Sequence, residues 1–391
     1  MNRAPGARDS AVTQSAESLK VKPFTGSSAK SLLIAGGGTG GHVFPAIAVA
    51  REWLRREPEG ARNVVIVGTE RGMESRLVPQ AGLPLETIRV AGLKGMGGAK
   101  LLANAAMLPA GLLDSEKILR KHKFGIAFGV GGYASGPMIV AAWLHGIPAV
   151  VFEPNVEPGF TNRVLGRFAT RVACGFEETA QRFGAKVIVT GIPVRREFFE
   201  VPPRNASASP DQTFNILITG GSRGALPINR AVIDSLDLLS VRKNQLFVVH
   251  QTGERDYNAV RVAYARREFR AEVVPFIENM AERFAQADLI VCRSGAITVA
   301  EVSAAGRAAI FIPFGAATDA HQTRNAEAMQ NAGAARLLPQ TELTPERLTN
   351  EIFSLLDQPS RTSEIATNAR KLSRPRAVED IVNLLEGLVR Q

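Results

Sequence analysis

The chain has 391 residues, which is enough for two domains of ordinary size. Hydrophobic residues make up 45% and charged residues 21%, which is typical of a soluble globular protein, and no uncharged apolar run is long enough to span a bilayer. The net charge of +10 indicates an anionic partner, whereas the low aromatic content of 6% argues against stacked nucleic-acid bases.

Residues 1–30 are rich in Ser, Ala, Lys and Arg and lack the apolar core of a signal peptide. We therefore predict a disordered N-terminal tail, although a cloning or start-site artefact would explain the composition equally well. Cys174 and Cys292 lie far apart and form no C-x-x-C pair. A disulfide framework or a zinc site is therefore not expected, and a reducing compartment fits.

The next segment reads as strand, glycine turn and helix. Residues 31–35 form an apolar run, residues 36–42 read G-G-G-T-G-G-H, and residues 43–56 have helical apolar spacing. Glycines allow a tight turn and a close approach of a ligand, and the free N–H groups of the following helix suit a phosphate or a developing anion.

The same arrangement recurs in the second half of the chain. Residues 214–219 read as a strand, residues 220–225 as a glycine turn, and residues 226–239 as a helix. Between the halves, the composition of residues 193–210 is typical of a linker because it contains four prolines. We therefore predict two doubly wound α/β domains with parallel sheets, at residues 31–192 and 213–371, joined by a linker at residues 193–212.

Further short apolar runs fit strands that alternate with helices. They are residues 64–67, 126–130, 149–152, 246–249, 273–276, 289–292 and 309–312, and residues 138–152 read as a buried helix followed by a strand. Ligands of open α/β sheets bind beyond the carboxyl ends of the strands, so the loops after these strands are expected to line a shared cleft.

Several polar residues of the first half follow predicted strands. His42 lies near a helix start, where it is either an acid/base group or a packing residue. Tyr133 and Ser135 belong to a second glycine loop that is either a ligand contact or a tight turn. Glu153 and Asn155 are placed to bind sugar hydroxyls, although turn capping would also explain them.

The second half carries candidates for nucleotide binding. Ser222 begins a phosphate-type nest that lacks the G-K-[ST] ending of a P-loop, so ATP or GTP hydrolysis is disfavoured. Arg195 can bring a guanidinium to phosphates, or it can be an ordinary surface arginine. Glu301, in the loop and helix 293–301, is suited to accept two hydrogen bonds from a ribose diol, and residues 319–325 add a hydrogen-bonding loop.

In their order, these motifs resemble the MurG family of bacterial N-acetylglucosaminyltransferases over residues 31–390. The matching segments are G-G-T-G-G-H, G-G-Y-x-S-G-P, G-x-P-V-R, G-G-S-x-G-A, R-S-G-A-x-T-V-x-E and D-x-H-Q-x-x-N-A. The resemblance implies a GT-B fold, with two Rossmann-like domains around a cleft and a last helix, at about residues 372–391, that packs back on the first domain.

The resemblance also implies the residues that bind the donor, UDP-GlcNAc. Glu301 would hold the uridine ribose, Ser222 and the adjacent helix start the diphosphate, and the backbone of Ile277 the uracil edge. The full set that it implies is Thr39, Gly40, Gly41, Asn155, Arg195, Ser222, Ile277, Ala296, Ile297, Thr298, Val299, Ala300, Glu301 and Gln322. Tyr133 and Ser135 are expected on the acceptor side.

The implied reaction is inverting transfer of GlcNAc to the C4 hydroxyl of the muramoyl sugar in lipid I, which forms lipid II for peptidoglycan. The family motif H-E-Q-N is Phe152-Glu153-Pro154-Asn155 in this chain, so the first His is missing. His42 is then the favoured catalytic base, and Glu153 is the second candidate. No Asp-x-Asp metal motif is present, so no tightly bound cofactor is expected, and dependence on a divalent cation stays open.

An acceptor in a membrane implies peripheral attachment to the cytoplasmic face of the bacterial inner membrane. Residues 90–119 mix apolar residues with Lys94, Lys100 and Lys117, followed by Arg120, which suits an anionic membrane surface or, equally, a buried helix with a solvated face. Cell-wall synthesis proteins are possible partners, and nucleic acid is not expected. Two alternatives are a UDP-GlcNAc 2-epimerase and an NAD(P)-dependent oxidoreductase.

Overall fold

The computed structural model describes residues 30–57, 62–90, 108–203, 213–315 and 320–389. All but the last residue of the predicted tail at residues 1–30 lies outside the described residues, as do Lys94, Lys100 and Asp319. Within the described part, the strands form two parallel sheets, as predicted for the fold class.

The first sheet has the strand order β3-β2-β1-β4-β5-β6-β7. Its strands are β1 Ser31–Gly36, β2 Asn63–Gly68, β3 Leu85–Thr87, β4 Ile126–Gly131, β5 Ala149–Glu153, β6 Arg171–Cys174 and β7 Val187–Val189. The helices of this half are α1 Gly40–Arg55, α2 Glu74–Gln80, α3 Leu108–His122, α4 Ser135–Leu144, α5 Phe160–Leu165 and α6 Ala180–Phe183. The predicted strands are confirmed within two residues, and the short strands β3, β6 and β7 were not predicted.

The second sheet has the order β10-β9-β8-β11-β12-β13. Its strands are β8 Phe214–Thr219, β9 Leu246–Gln251, β10 Ala271–Val274, β11 Leu289–Cys292, β12 Ala308–Phe311 and β13 Arg336–Leu337. The predicted strand at residues 273–276 thus begins and ends two residues earlier, and residues 275 and 276 belong to the following loop.

The helices from residue 196 onward cover the second sheet, and the last of them returns to the first sheet. They are α7 Arg196–Phe199, α8 Leu226–Leu239, α9 Tyr257–Arg266, α10 Met280–Gln286, α11 Ala296–Ala305, α12 His321–Asn331, α13 Pro345–Leu356, α14 Pro359–Lys371 and α15 Ala377–Val389. The α7 residue Phe198 is fully buried against Phe284 of α10, so the first part of the predicted linker packs on the second sheet.

Helix α15 packs on α1 at the first sheet. Its residues Ile381, Val382 and Leu385 belong to the same buried apolar cluster as Trp53 of α1. Glu386 of α15 also pairs with Arg56, at 2.9 Å. Burial of this apolar face, which is the larger stabilising contribution, therefore holds the end of the described chain against the first half.

Both sheets place their glycine turns at the same topological position. In each sheet, the direction of winding reverses beside the central strand, between β1 and β4 and between β8 and β11. The turn at residues 36–42 follows β1, and the turn at residues 220–225 follows β8. Crevices at such switch points are where open α/β sheets bind ligands, so the fold provides one such crevice in each sheet.

Candidate functional site

His42 lies in the first turn of α1, and its ring is fixed by the glycine turn. Its Nδ1 lies 2.9 Å from the carbonyl oxygen of Gly37 and 3.3 Å from Oγ1 of Thr39. A carbonyl oxygen only accepts hydrogen bonds, so Nδ1 carries the proton in the neutral ring, and Nε2 keeps its lone pair. Gly131 makes room for Nε2, because a Cβ atom at that position would lie 2.9 Å away from it.

The environment of His42 keeps its ring neutral. Burial lowers the pKa of His42, and this outweighs the hydrogen bond to Gly37 and the charges of Glu153 and Glu74, which raise it. A neutral imidazole with a free Nε2 is the form that accepts a proton at neutral pH.

Glu74 of α2, which the sequence did not single out, is buried beneath this turn with 1% of its surface exposed. Its carboxylate accepts hydrogen bonds from the amide of Gly38 at 2.7 Å and from the amide and hydroxyl of Thr69, both at 2.9 Å. Burial alone would raise the pKa of Glu74, but these hydrogen bonds together lower it, so the group is ionised at neutral pH.

Glu153, the second candidate base, is enclosed at the end of β5. Only 1% of the residue is exposed. Its carboxylate accepts hydrogen bonds from the amides of Asn155 and Gly159 and from the side-chain amides of Asn155 and Asn162, at 2.9–3.0 Å. With four donors around its two oxygens, Glu153 is better placed to shape the loop around Asn155 than to accept a proton.

Phe152 stands where the family motif has its first histidine, and this position lies in the core of the protein, not in the cleft. Phe152 is fully buried, and its ring packs against Phe128 with 6.2 Å between the ring centroids. Successive side chains of a strand point to opposite faces, so position 152 belongs to the core.

The two acceptor-side candidates differ in their placement. Tyr133 is exposed (52%) and free to contact a ligand. Ser135 is fully buried: its hydroxyl lies 2.6 Å from the carbonyl oxygen of Ala35 and accepts from the amide of Gly131 at 3.0 Å. The expectation that Ser135 faces the acceptor is therefore not met, because its hydroxyl ties the ends of β1 and β4 together.

The two halves meet at Asn155 and at Asn325 of α12, which is fully buried. The Asn325 side chain accepts from the amide of Val156 at 3.0 Å and donates to Oδ1 of Asn155 at 3.1 Å. Nearby, Nδ1 of His321 lies 2.7 Å from the carbonyl oxygen of Glu157. The structure thus brings two sequence motifs, one from each half, into contact.

The second glycine turn is held by a neutral side chain. Gln251 at the end of β9 is 1% exposed and donates from Nε2 to the carbonyl oxygen of Gly221 at 2.9 Å. Its Oε1 accepts from the amide of Ile277 at 2.8 Å. Ser222 is exposed at the tip of the turn. Because the Ile277 amide is already bonded to Gln251, only its carbonyl group is left for the uracil contact expected from the sequence.

Glu301 on α11 and Arg195 just before α7 face each other. Their nearest side-chain atoms are 3.9 Å apart, and the side chains are 17% and 48% exposed. Burial raises the pKa of Glu301 to about 7, Arg195 opposes this rise, and Glu197 adds to it. The pair combines a carboxylate suited to a diol with a half-exposed guanidinium, which also lies over the ring of Phe198.

The remaining donor candidates lie around the start of α11. Ala296, Ile297 and Thr298 form its first turn, and Thr39, Gly40 and Gly41 lie at the start of α1. Gln322 accepts from the amide of Phe314 at 3.0 Å. Val299 does not fit its predicted role, because its side chain is 2% exposed and its amide donates to the carbonyl oxygen of Gly295; Ala300 lies one residue further along the same helix.

No cluster of three or more potential metal ligands exists within the described residues. No helix in this part of the chain is long and apolar enough to cross a bilayer.

Two family descriptions match the chain. The glycosyltransferase family 28 N-terminal domain matches residues 32–174, and its C-terminal domain matches residues 215–381. Similar curated proteins are named UDP-N-acetylglucosamine–N-acetylmuramyl-(pentapeptide) pyrophosphoryl-undecaprenol N-acetylglucosamine transferase. The one from Myxococcus xanthus is 45% identical over 92% of this chain and 93% of its own length. The one from Syntrophus aciditrophicus is 43% identical over 92% and 99%, respectively.

Solved structures show the same fold. MurG from Acinetobacter baumannii superposes with a TM-score of 0.74 at 34% identity, over 92% of this chain and 99% of its own. A UDP-GlcNAc 2-epimerase from Neisseria meningitidis superposes with a TM-score of 0.63 at 14% identity, over 91% and 98%. The second likeness concerns the fold alone.

Proposed function

The chain belongs to glycosyltransferase family 28, and on that premise we propose that it transfers GlcNAc from UDP-GlcNAc to the C4 hydroxyl of MurNAc in lipid I. Lipid I is undecaprenyl-pyrophosphoryl-MurNAc-pentapeptide, and the product is lipid II. The observation that carries this proposal is the difference between the two halves. The first half presents a neutral His42 with a free Nε2, whereas the second presents an exposed glycine turn and the carboxylate of Glu301, which faces Arg195.

We propose that His42 is the general base. Nε2 accepts the proton of the C4 hydroxyl as that oxygen attacks the anomeric carbon of the donor. The bond from this carbon to the diphosphate oxygen breaks, and its electron pair leaves with UDP. A single in-line displacement inverts the anomeric centre, so an α-linked donor gives a β-linked product.

The leaving diphosphate is assigned to the second turn. Ser222 and the start of α8 present backbone N–H groups, whose partial positive charge stabilises the developing negative charge. Arg195 supplies a full positive charge, and its half-exposed side chain has room to reach the phosphates. Glu301 binds the ribose diol.

Attachment to an anionic membrane is proposed for the face formed by α3, α4 and α5. Six large apolar side chains are exposed there, namely Leu112, Leu113, Trp143, Leu144, Phe160 and Val164. The basic residues Lys117, Arg120 and Arg163 on these helices, and Arg167 just after α5, are also exposed. An apolar surface with basic residues around it suits a lipid interface. Most of the predicted segment 90–119 lies outside the described residues.

A transfer assay tests the reaction. Purified protein, UDP-GlcNAc and a soluble lipid I analogue are expected to release UDP and form the disaccharide product only when the acceptor is present. Conversion of UDP-GlcNAc to UDP-ManNAc without an acceptor would instead indicate the epimerase. Turnover that requires NAD(P) would indicate the oxidoreductase.

Sedimentation with vesicles tests the membrane face. Leu113→Asp with Leu144→Asp is expected to reduce binding to vesicles that contain anionic phospholipid, while activity on the soluble analogue is retained. Val241→Asp, which changes an exposed apolar side chain on the second half, is the matched control. Equal binding by both variants would contradict this assignment.

A further inference from the structure

One peptide group connects Glu74 to His42. The amide N–H of Gly38 donates to Oε2 of Glu74 at 2.7 Å, and the carbonyl oxygen of Gly37 accepts from Nδ1 of His42 at 2.9 Å. These N–H and C=O groups belong to the same peptide bond, which is planar and delocalised. A buried carboxylate is therefore hydrogen-bonded to one end of this peptide, and the imidazole to the other.

We propose that Glu74 is a positioning residue for the reaction: through the Gly37–Gly38 peptide it orients His42, fixes its tautomer and increases the basicity of Nε2. The inference rests on His42 being the base. A carboxylate that accepts from the N–H end polarises the peptide and makes its carbonyl oxygen a stronger acceptor, because hydrogen bonds in a chain strengthen one another. The stronger acceptor stabilises the proton on Nδ1 and the imidazolium that forms when Nε2 takes up a second proton.

The packing around Glu74 is built for this contact. A Cβ atom added to Gly37, Gly68 or Gly72 would lie 2.2, 2.4 or 2.1 Å, respectively, from the Glu74 side chain, so these three positions accommodate the carboxylate only as glycine. Gly37 and Gly38 also have positive φ angles, of 158° and 91°, which orient the peptide between them. Any side chain at these glycines would displace either the carboxylate or the peptide that it holds.

The hydrogen bonds of Glu74 distinguish a charged role from a space-filling one. Its two oxygens accept hydrogen bonds from two backbone amides and one hydroxyl. The two amides can only donate, whereas the hydroxyl of Thr69 can either donate or accept. Only a carboxylate satisfies both amides at once, since a side-chain amide would direct its own N–H groups at one of them. Burying an ion costs free energy, and a neutral residue would be easier to accommodate here. That the site nevertheless holds a carboxylate supports a role for its charge.

Two charged groups act on His42, namely Glu74 of α2 and Glu153 at the end of β5. Both raise the pKa of His42, and so does the hydrogen bond to Gly37, whereas burial lowers it. Removing the charge of Glu74 while retaining Glu153 is therefore expected to lower the pKa of His42 further and to make Nε2 a weaker base.

Glu74→Gln tests the proposal by pH profile. At saturating donor, we expect kcat to fall about tenfold, a part of the usual contribution of a general base, while the donor KM stays within about twofold. The acid limb of kcat/KM is expected to move to lower pH by roughly half a unit or more. If Glu74 had a purely structural role, Glu74→Gln would lower kcat equally at all pH values, and the midpoint of the acid limb of kcat/KM would stay at the same pH.

Glu70→Gln is the matched control, because Glu70 is an exposed carboxylate four residues before Glu74. It removes the same charge without touching the peptide, and we expect the wild-type profile. Equal shifts in both variants would overturn the proposal by showing a non-specific effect of charge.

Histidine NMR provides a readout independent of activity. The chain has five histidines, and the spectrum of His42→Gln assigns the His42 signal. We expect the Nδ1–H tautomer in the wild type and a lowered His42 pKa in Glu74→Gln. A neutral Nε2–H tautomer in the wild type, or an unchanged pKa in the variant, would overturn the proposal. If Glu74→Gln does not fold, the wild-type tautomer still tests the contact between His42 and the Gly37–Gly38 peptide, because an Nε2–H tautomer would break it.

Failure of the proposed function is separable from failure of this inference. If the wild type transfers no GlcNAc, the reaction assignment fails, whereas the tautomer and pKa still test the connection from Glu74 to His42. If the wild type transfers GlcNAc but Glu74→Gln keeps its pH profile, only the role of Glu74 fails.

Discussion

The two glycine turns occupy equivalent positions in two sheets that share the order of six strands, yet different side chains hold them. The first turn is bound from below by the carboxylate of Glu74, and the second by the neutral amide of Gln251. The charge beneath a turn decides what it can bind. A turn that already donates an amide to a buried anion is a poor site for a second anion, whereas a turn held by an amide keeps its positive character.

This difference assigns separate tasks to two crevices that look alike in sequence. In our account, the first turn contributes a base, because its peptide and Glu74 orient His42. The second turn contributes the diphosphate site, because Ser222 is exposed there and no carboxylate lies among the hydrogen-bonding partners of Gln251.

Replacing the base is expected to abolish catalysis without affecting the donor site. His42→Gln should lower kcat by about 1,000-fold, within the range for loss of a general base, because Glu153, the other candidate, is buried and already accepts four hydrogen bonds. Calorimetry should show UDP affinity within about twofold of the wild type. His122→Gln, at the end of α3, is the control and should keep its activity. Near-normal turnover of His42→Gln would remove His42 from the mechanism.

Introducing a charge beneath the second turn should make it resemble the first. Gln251→Glu places a carboxylate oxygen against the carbonyl oxygen of Gly221, and it adds negative charge beneath the proposed diphosphate site. We expect UDP to bind about 30-fold more weakly by calorimetry, which corresponds to about 2 kcal/mol. If UDP affinity is unchanged while the variant remains folded, the diphosphate does not bind at this turn.

Glu301→Gln tests the ribose contact on the same side of the cleft. We expect the donor KM to rise about tenfold at pH 8, because the amide accepts fewer hydrogen bonds than the carboxylate. Since burial raises the pKa of Glu301 to about 7, wild-type affinity for UDP should increase as the pH rises through 7. The variant should lack this dependence. A flat wild-type profile between pH 6 and pH 8 would contradict the assignment.

Ser135→Ala should separate structure from chemistry at the first turn. Its hydroxyl joins the ends of β1 and β4, so its loss is expected to cost about 1–3 kcal/mol of the free energy of unfolding. The acceptor KM should change by less than about twofold because the hydroxyl does not face the cleft. A large rise in acceptor KM with unchanged stability would restore Ser135 as a substrate contact.

The strands and glycine turns were predictable because their signals are local. Apolar runs followed by glycine identify β1 and β8 directly, and an alternation of such runs predicts the parallel sheets. The strands β3 and β7 were missed because three residues carry too little periodicity to distinguish a strand from a loop, and β6 was missed because its first residue, Arg171, interrupts the apolar run.

The anchors of the turns were not predictable, since their partners are distant in the chain. Glu74 lies 36 residues from Gly38, and Gln251 lies 30 residues from Gly221. No rule of sequence spacing connects Glu74 with Gly38 or Gln251 with Gly221. Glu74 and Gln251 also lie in segments without a recognisable motif. Ser135 shows the opposite error: a polar residue in a glycine loop suggested a ligand contact, but its hydroxyl satisfies backbone groups within the protein.

Hydrogen exchange with and without UDP tests the division of labour most directly. The account predicts that UDP slows amide exchange most strongly in peptides that cover residues 220–226 and 296–301. Peptides that cover residues 36–42 should change less than either. Strongest protection at residues 36–42, with residues 220–226 unchanged, would place the nucleotide at the turn held by Glu74 and would contradict the account.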